Sequence, residues 1–137
     1  MKTKTILALE TSCDETAIAI LRDRELLTSE VASQIAEHER FGGVVPEVAS
    51  RNHLVYAPRL LARALGDSKI DVEEIDAFAA TSGPGLASSL MIGASIAKGL
   101  ALGLSARAPP IGLARFDFRR IGGLLRNCRR RHQQFLA

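Results

Sequence analysis

The sequence predicts an α/β fold, a three-strand antiparallel meander followed by alternating helix and strand. Three observations predict it. Short apolar runs at 5–9, 17–21 and 26–33 are separated by short polar turns. An apolar stripe with spacings of three and four follows Pro46. A glycine loop at 81–85 then separates a fourth apolar run from a long segment of small residues.

Each element has a local reason. The run 5–9 is apolar and bounded by polar residues, as a buried strand is. Glu10-Thr11-Ser12-Cys13-Asp14-Glu15-Thr16 interrupts it, and Arg22-Asp23-Arg24-Glu25 makes the next turn. Phe41-Gly42-Gly43-Val44-Val45 is a glycine-bearing loop. Pro46 suits a first helical turn, where its missing N–H is not needed, and Glu47 complements the helix dipole there. Leu54, Ala57, Leu61 and Leu65 form the predicted apolar stripe, and Gly66 is the predicted stop. A fourth strand is expected at 75–80, a tight loop at 81–85, a helix over 86–104 and a fifth strand over 110–114. That order matches the ribonuclease-H-like core of the actin, Hsp70 and sugar-kinase superfamily, an analogy of fold that establishes no activity.

Composition excludes several classes. With 137 residues the chain suits one domain, and 47% hydrophobic with 24% charged residues excludes disorder, collagen and coiled coil. Aromatics are only 4%, with no Trp, which argues against a base-stacking platform. Cys13 and Cys128 form no CxxC or zinc spacing, and two such cysteines suit a reducing, cytoplasmic location. The apolar run from Ile6 is broken by Glu10, too early for a secretion signal. The weakly polar stretch 86–97 ends at Lys98, short of the roughly 18 residues that cross a bilayer, so no membrane partner is expected.

Charge divides the chain. Residues 1–104 hold ten Lys or Arg against fourteen Asp or Glu, net −4. Residues 105–137 hold eight Arg against Asp117 alone, net +7. A switch of sign this abrupt asks for its own explanation.

Three segments have chemical character. The turn 10–16 holds three carboxylates beside hydroxyls; a solvated acidic turn and a ligand-facing turn both fit. Gly83-Pro84-Gly85 precedes a helix whose N-terminus favours anions; a plain strand-to-helix turn fits equally. The segment 41–53 reads as a loop and a helix start, with His38 and His53 as lone histidines of the surface or of a satisfied core. In the second helix Ala87, Ser88, Ser89, Gly93, Ala94, Ser95, Ala97, Gly99, Ala101 and Gly103 are all small. Such a face packs on the domain's own sheet or against a helix of another chain.

Together these segments resemble one family. Glu-Thr-Ser-Cys-Asp-Glu-Thr at 10–16, Ala-Ser-Gln at 32–34, Gly-Gly-Val-Val-Pro-Glu at 42–47, Ala-Ser-Arg at 49–51 with His53, and Ser-Gly-Pro-Gly-Leu at 82–86 follow its order and spacing. The sequence is similar to the N-terminal part of the TsaD family, tRNA threonylcarbamoyltransferases, over about residues 4–112. The resemblance implies transfer of a threonylcarbamoyl group from threonylcarbamoyl-AMP to N6 of the adenosine beside the tRNA anticodon. It implies Asp14 and Glu15 as catalytic residues, and Thr11, Ser12, Gly83 and Gly85 as substrate-binding residues. It also implies a divalent metal, iron or zinc, in the family, and a TsaB-like partner held through lobe helices.

The match fails after the expected fifth strand, which divides the sequence into a lobe over 1–112 and a basic tail over 113–137. There the family places a His-x-x-x-His pair on a helix, whereas this chain has Arg115 and Arg119. A guanidinium has no lone pair to offer, so no metal site is expected here. Ile121, Leu124, Leu125 and Cys128 keep helical spacing among arginines, and His132 stands alone. Three readings of the tail stand: a frameshifted or truncated family gene, a diverged family helix, and a basic RNA-binding helix. The expectation is a lobe inactive alone, with an exposed face that favours a homodimer. The alternative is a non-catalytic module that binds a partner or tRNA.

Overall fold

A computed structural model describes residues 3–105 and the backbone of 112–117. The chain runs β1 (Thr5–Glu10), β2 (Glu15–Arg22), β3 (Glu25–Ser33), α1 (Ile35–Glu39), α2 (Pro46–Ser68), β4 (Ala77–Gly83), α3 (Ala87–Ser105) and β5 (Gly112–Asp117). The five strands form one sheet in the order β3-β2-β1-β4-β5. β1 pairs antiparallel with β2, and β2 with β3, the expected meander. β1 and β4 are parallel, as are β4 and β5, because a helix carries the chain back each time.

The core lies between the sheet and the helices. α2 rests on β2 and β3, α3 rests on β4 and β1, and the two helices touch. Leu7, Ile18, Ile20 and Phe78 from the strands meet Leu60, Ala64, Ala97 and Ala101 from the helices. At about 25 cal/mol per Å² of apolar surface, this burial is the main force holding the layers together. Arg63 of α2 also pairs with Glu30 of β3 at 3.0 Å.

Four of the small residues of α3 pack inside this lobe, while Ser88, Ser95, Gly99 and Gly103 are exposed. Ser89, Gly93, Ala97 and Ala101 form its buried stripe. As expected from sequence, the helix runs on through Lys98, to Ser105, beyond the weakly polar stretch 86–97. By length and apolarity alone it reaches bilayer-spanning size, contrary to the shorter estimate. Its small-residue face is nevertheless packed on the sheet.

Other differences have local causes. α1 was not expected, because five residues carry no apolar period. The buried face of α2 is Ala49, His53, Ala57, Leu60 and Ala64, so Leu54 points outward and is 54% exposed. α2 passes Gly66 and stops where Lys69 adopts the left-handed conformation. A 3-10 turn, Val72–Glu74, takes the start of the expected fourth strand, fixed by a capping box between Asp71 and Glu74. β4 in turn extends through Gly83, into the expected loop. β5 runs through the 112/113 division, and Arg115 lies on that strand opposite Ala80. Arg119, Cys128, His132 and the tail helix lie outside the described residues.

Candidate functional site

The turn between β1 and β2 is gripped from two sides. On one side is the start of α3. The Leu86 N–H donates to the Ser12 carbonyl at 2.8 Å. Gly85 sits so close that a Cβ there would lie 2.5 Å from that same oxygen. The Thr11 hydroxyl donates to the Ser89 carbonyl at 2.7 Å and accepts from the Gly93 N–H at 3.2 Å. A Cβ on Gly93 would lie 2.5 Å from that hydroxyl, so the glycine is required by close approach. Gly83 ends β4 next to this contact, joined to Pro84 by a cis peptide bond.

On the other side is the start of α2. His53 is fully buried and uses both ring nitrogens. Its Nε2 meets the Cys13 carbonyl at 3.0 Å, and its Nδ1 meets the Thr16 hydroxyl at 2.7 Å. Gln34 adds its backbone N–H to the Asp14 carbonyl at 2.8 Å, and its side-chain amide reaches His53 Nδ1 at 3.3 Å. His38 closes the set, with Nε2 3.2 Å from Gln34 Oε1 and Nδ1 accepting from the Val45 N–H at 3.3 Å. Burial pushes the His53 imidazole below its ordinary range and favours the neutral ring.

The carboxylates of the turn divide by task. Glu10 accepts from the Ser12 N–H at 2.6 Å and from the Thr81 hydroxyl, so it ties the turn to β4. Asp14 and Glu15 are partly exposed at the head of β2. Cys13 precedes them; burial, then the Asp14 charge and hydrogen bond, push its thiol up. It is therefore a thiol at neutral pH, without the thiolate a nucleophile needs.

The structure thus brings Ser12, Asp14, Glu15, Gly83 and Gly85 to one end of the sheet, where β1 turns and α3 begins. Thr11 is there too, but only 1% exposed, with its hydroxyl given to α3. Sequence reasoning left His38, His53 and Gln34 without a role at this turn. Only the place of Gln34 and His53 within segments of family spacing signalled one, and nothing signalled His38. Among the described residues no group of three or more His, Cys, Asp or Glu could hold a metal ion. The ring nitrogens of His38 and His53 all have protein partners, and Arg115 has no lone pair to give. These residues do not fit a metal.

The fold and sequence both have known counterparts. A Pseudomonas aeruginosa protein with similarity to peptidase YEAZ superposes with a TM-score of 0.61 at 23% identity, covering 83% of this chain and 43% of that one. YeaZ from the same organism gives 0.58 at 22%, with 83% and 44% covered. At such identities the likeness is one of fold. The tRNA N6-adenosine threonylcarbamoyltransferase of Kosmotoga olearia is 51% identical over 100 residues, covering 73% of this chain and 30% of that protein. That of Streptococcus suis is 53% identical over 102 residues, covering 74% and 30%. The chain therefore spans about 30% of the length of these relatives. The family model described as TsaD, tRNA N6-adenosine threonylcarbamoyltransferase, matches residues 25–112. With that span matched, and with its motif segments meeting at one turn, this chain belongs to the TsaD family.

Proposed function

We propose that residues 1–112 form a lobe that serves threonylcarbamoyl transfer to tRNA, with 113–137 a separate basic tail. The observation that supports this most is the convergence of the motif segments on the turn carrying Asp14 and Glu15. In the reaction, N6 of adenosine attacks the carbamoyl carbon of threonylcarbamoyl-AMP. A C–N bond forms, the C–O bond to the phosphate breaks, and AMP leaves. The amine must lose one proton, and a carboxylate of the turn accepts it. Asp14 and Glu15 are suited to that task by their partly exposed place at the head of β2, whereas Glu10 ties the turn to β4.

Ser12, Gly83 and Gly85 surround the N-terminal end of α3, where backbone N–H groups favour the adenylate phosphate. Thr11 supports binding indirectly, by fixing α3 to the turn. No step is routed through a metal. A TsaB-like partner would dock on the lobe helices, which expose Leu54 and Val55 on α2 and Met91 and Leu102 on α3. The setting is cytoplasmic, with tRNA and threonylcarbamoyl-AMP as substrates of the whole family protein.

A chimera tests the reading. Residues 1–112 replace the matching part of the Streptococcus suis relative, 53% identical to this chain. Product from threonylcarbamoyl-AMP and tRNA is expected from the chimera and not from residues 1–137 alone. A chimera that folds and makes no product would contradict the reading.

A further inference from the structure

The hydrogen bonds behind the turn can run in one direction only. They begin at the Val45 backbone N–H, which can only donate, and His38 Nδ1 must accept it. The proton of His38 therefore sits on Nε2 and goes to Gln34 Oε1. That fixes the amide of Gln34, whose nitrogen faces both the Ala49 carbonyl at 3.4 Å and His53 Nδ1. His53 Nδ1 must then accept, from Gln34 and from the Thr16 hydroxyl. Its proton sits on Nε2 and goes to the Cys13 carbonyl, which can only accept. Tautomers and amide orientations are ordinarily inferred from surroundings. Here a backbone donor at one end and a backbone acceptor at the other force all three groups.

The members come from four places in the fold. Val45 caps α2, His38 lies on α1, Gln34 joins β3 to α1, and His53 lies on α2. All three side chains are at least 97% buried, so water does not supply alternatives. A neutral polar chain of this kind does little for a core that apolar residues could fill. It does fix orientation, because an error at one member leaves the next unpaired.

We propose that His53, oriented by Gln34 and His38, is the positioning residue of the Cys13-Asp14-Glu15 turn, and that this relay couples the Phe41–Val45 loop to the two carboxylates. The proposal rests on the reading that this turn is functional, but its test requires no turnover. The relay sets the Cys13 carbonyl directly, and Gln34 holds the Asp14 carbonyl with its own N–H. A disturbance at His38, which no hydrogen bond links to the turn directly, therefore reaches Asp14 through Gln34, and Cys13 through Gln34 and His53.

Nitrogen-15 NMR on the 137-residue chain tests this. Two-bond correlations at pH 7 are expected to show Nε2–H rings at both His38 and His53. His38→Leu should move the Asp14 and Glu15 amide signals more than Ile70→Ala, a core truncation outside the relay. His53→Gln, which keeps a donor for the Cys13 carbonyl, should leave those signals nearer to the parent than His53→Leu does. An Nδ1–H ring at either histidine overturns the proposal, as do turn amides that respond equally to His38→Leu and Ile70→Ala. Should His38→Leu fail to fold, the tautomers and the two His53 variants decide it. If the relay holds while the chimera stays inactive, the positioning stands and the transferase reading fails.

Discussion

His53 and Cys13 are 40 positions apart, yet the imidazole Nε2 of one lies 3.0 Å from the carbonyl oxygen of the other. The contact joins the first turn of the sheet to the first long helix. It anchors the backbone of the acidic turn to the core, while Asp14 and Glu15 stay partly exposed. His53→Leu leaves the Cys13 carbonyl, the Thr16 hydroxyl and the Gln34 amide without that partner. The expected loss is about 1–3 kcal/mol of unfolding free energy, read by urea denaturation.

The same ring sets a pH dependence. Burial lowers the folded-state pKa of His53 below its ordinary 6.5, while Glu10 and Asp14 oppose the shift and His38 adds to it. The unfolded chain therefore takes up a proton on falling through about pH 6.5, and the folded chain resists. This contribution to stability is fully present above that pH and declines as pH falls toward the folded pKa. Urea midpoints at pH 7.5 and 5.5 should differ in that direction. His53→Gln should reduce the difference, and an equal slope in the variant would assign the dependence elsewhere.

Glycines on α3 and just before it should separate by what they face. Gly93→Ala puts a Cβ 2.5 Å from the Thr11 hydroxyl, and Gly85→Ala puts one 2.5 Å from the Ser12 backbone oxygen. Each is expected to cost about 1–3 kcal/mol, as overpacking does. Gly99 has nothing within 4 Å of its Cβ position. Gly99→Ala should instead gain up to about 1 kcal/mol from helix propensity. Thermal melts of the three variants check the contrast, and equal effects would contradict it.

The surface pair on α2 makes a weaker prediction. Glu47 and Arg51 lie 2.7 Å apart at helical spacing, with both side chains more than 75% exposed. Arg51→Ala should change stability by no more than about 0.5 kcal/mol in 0.15 M salt, measured by the same urea titration.

These contrasts show which parts of the molecule were legible in the sequence. The strands were, because β1, β2 and β4 are apolar runs ended by charged or glycine-bearing turns. The start of α2 was, because Pro46 and Glu47 are local signals. Its inner face was legible in part: Ala57 is buried and Leu61 and Leu65 pack against the core, but Leu54 lies outside while His53, a polar residue, lies inside. A stripe that buries a histidine is invisible to a count of apolar spacings. α1 was missed for a related reason: its buried member, His38, is held by hydrogen bonds and not by apolar packing. The small residues of α3 were read as a sign of close approach, which holds at Gly93 and not at Gly99 or Gly103. What they approach, Thr11 for Gly93, required the fold.

The family resemblance supplied the identity of the acidic turn, and the geometry separated its carboxylates. Glu10 holds the Ser12 N–H, so removing it should harm folding first. Asp14 and Glu15 stand at the head of β2 and should affect chemistry first. That division is the centre of the account.

The most direct test is product formation by the chimera carrying residues 1–112, with threonylcarbamoyl-AMP and tRNA, in Asp14→Asn and Glu15→Gln forms. The account predicts that at least one of them lowers the rate about 100-fold or more, with an unchanged melting temperature, as loss of a proton acceptor does. Full activity in both variants would contradict it.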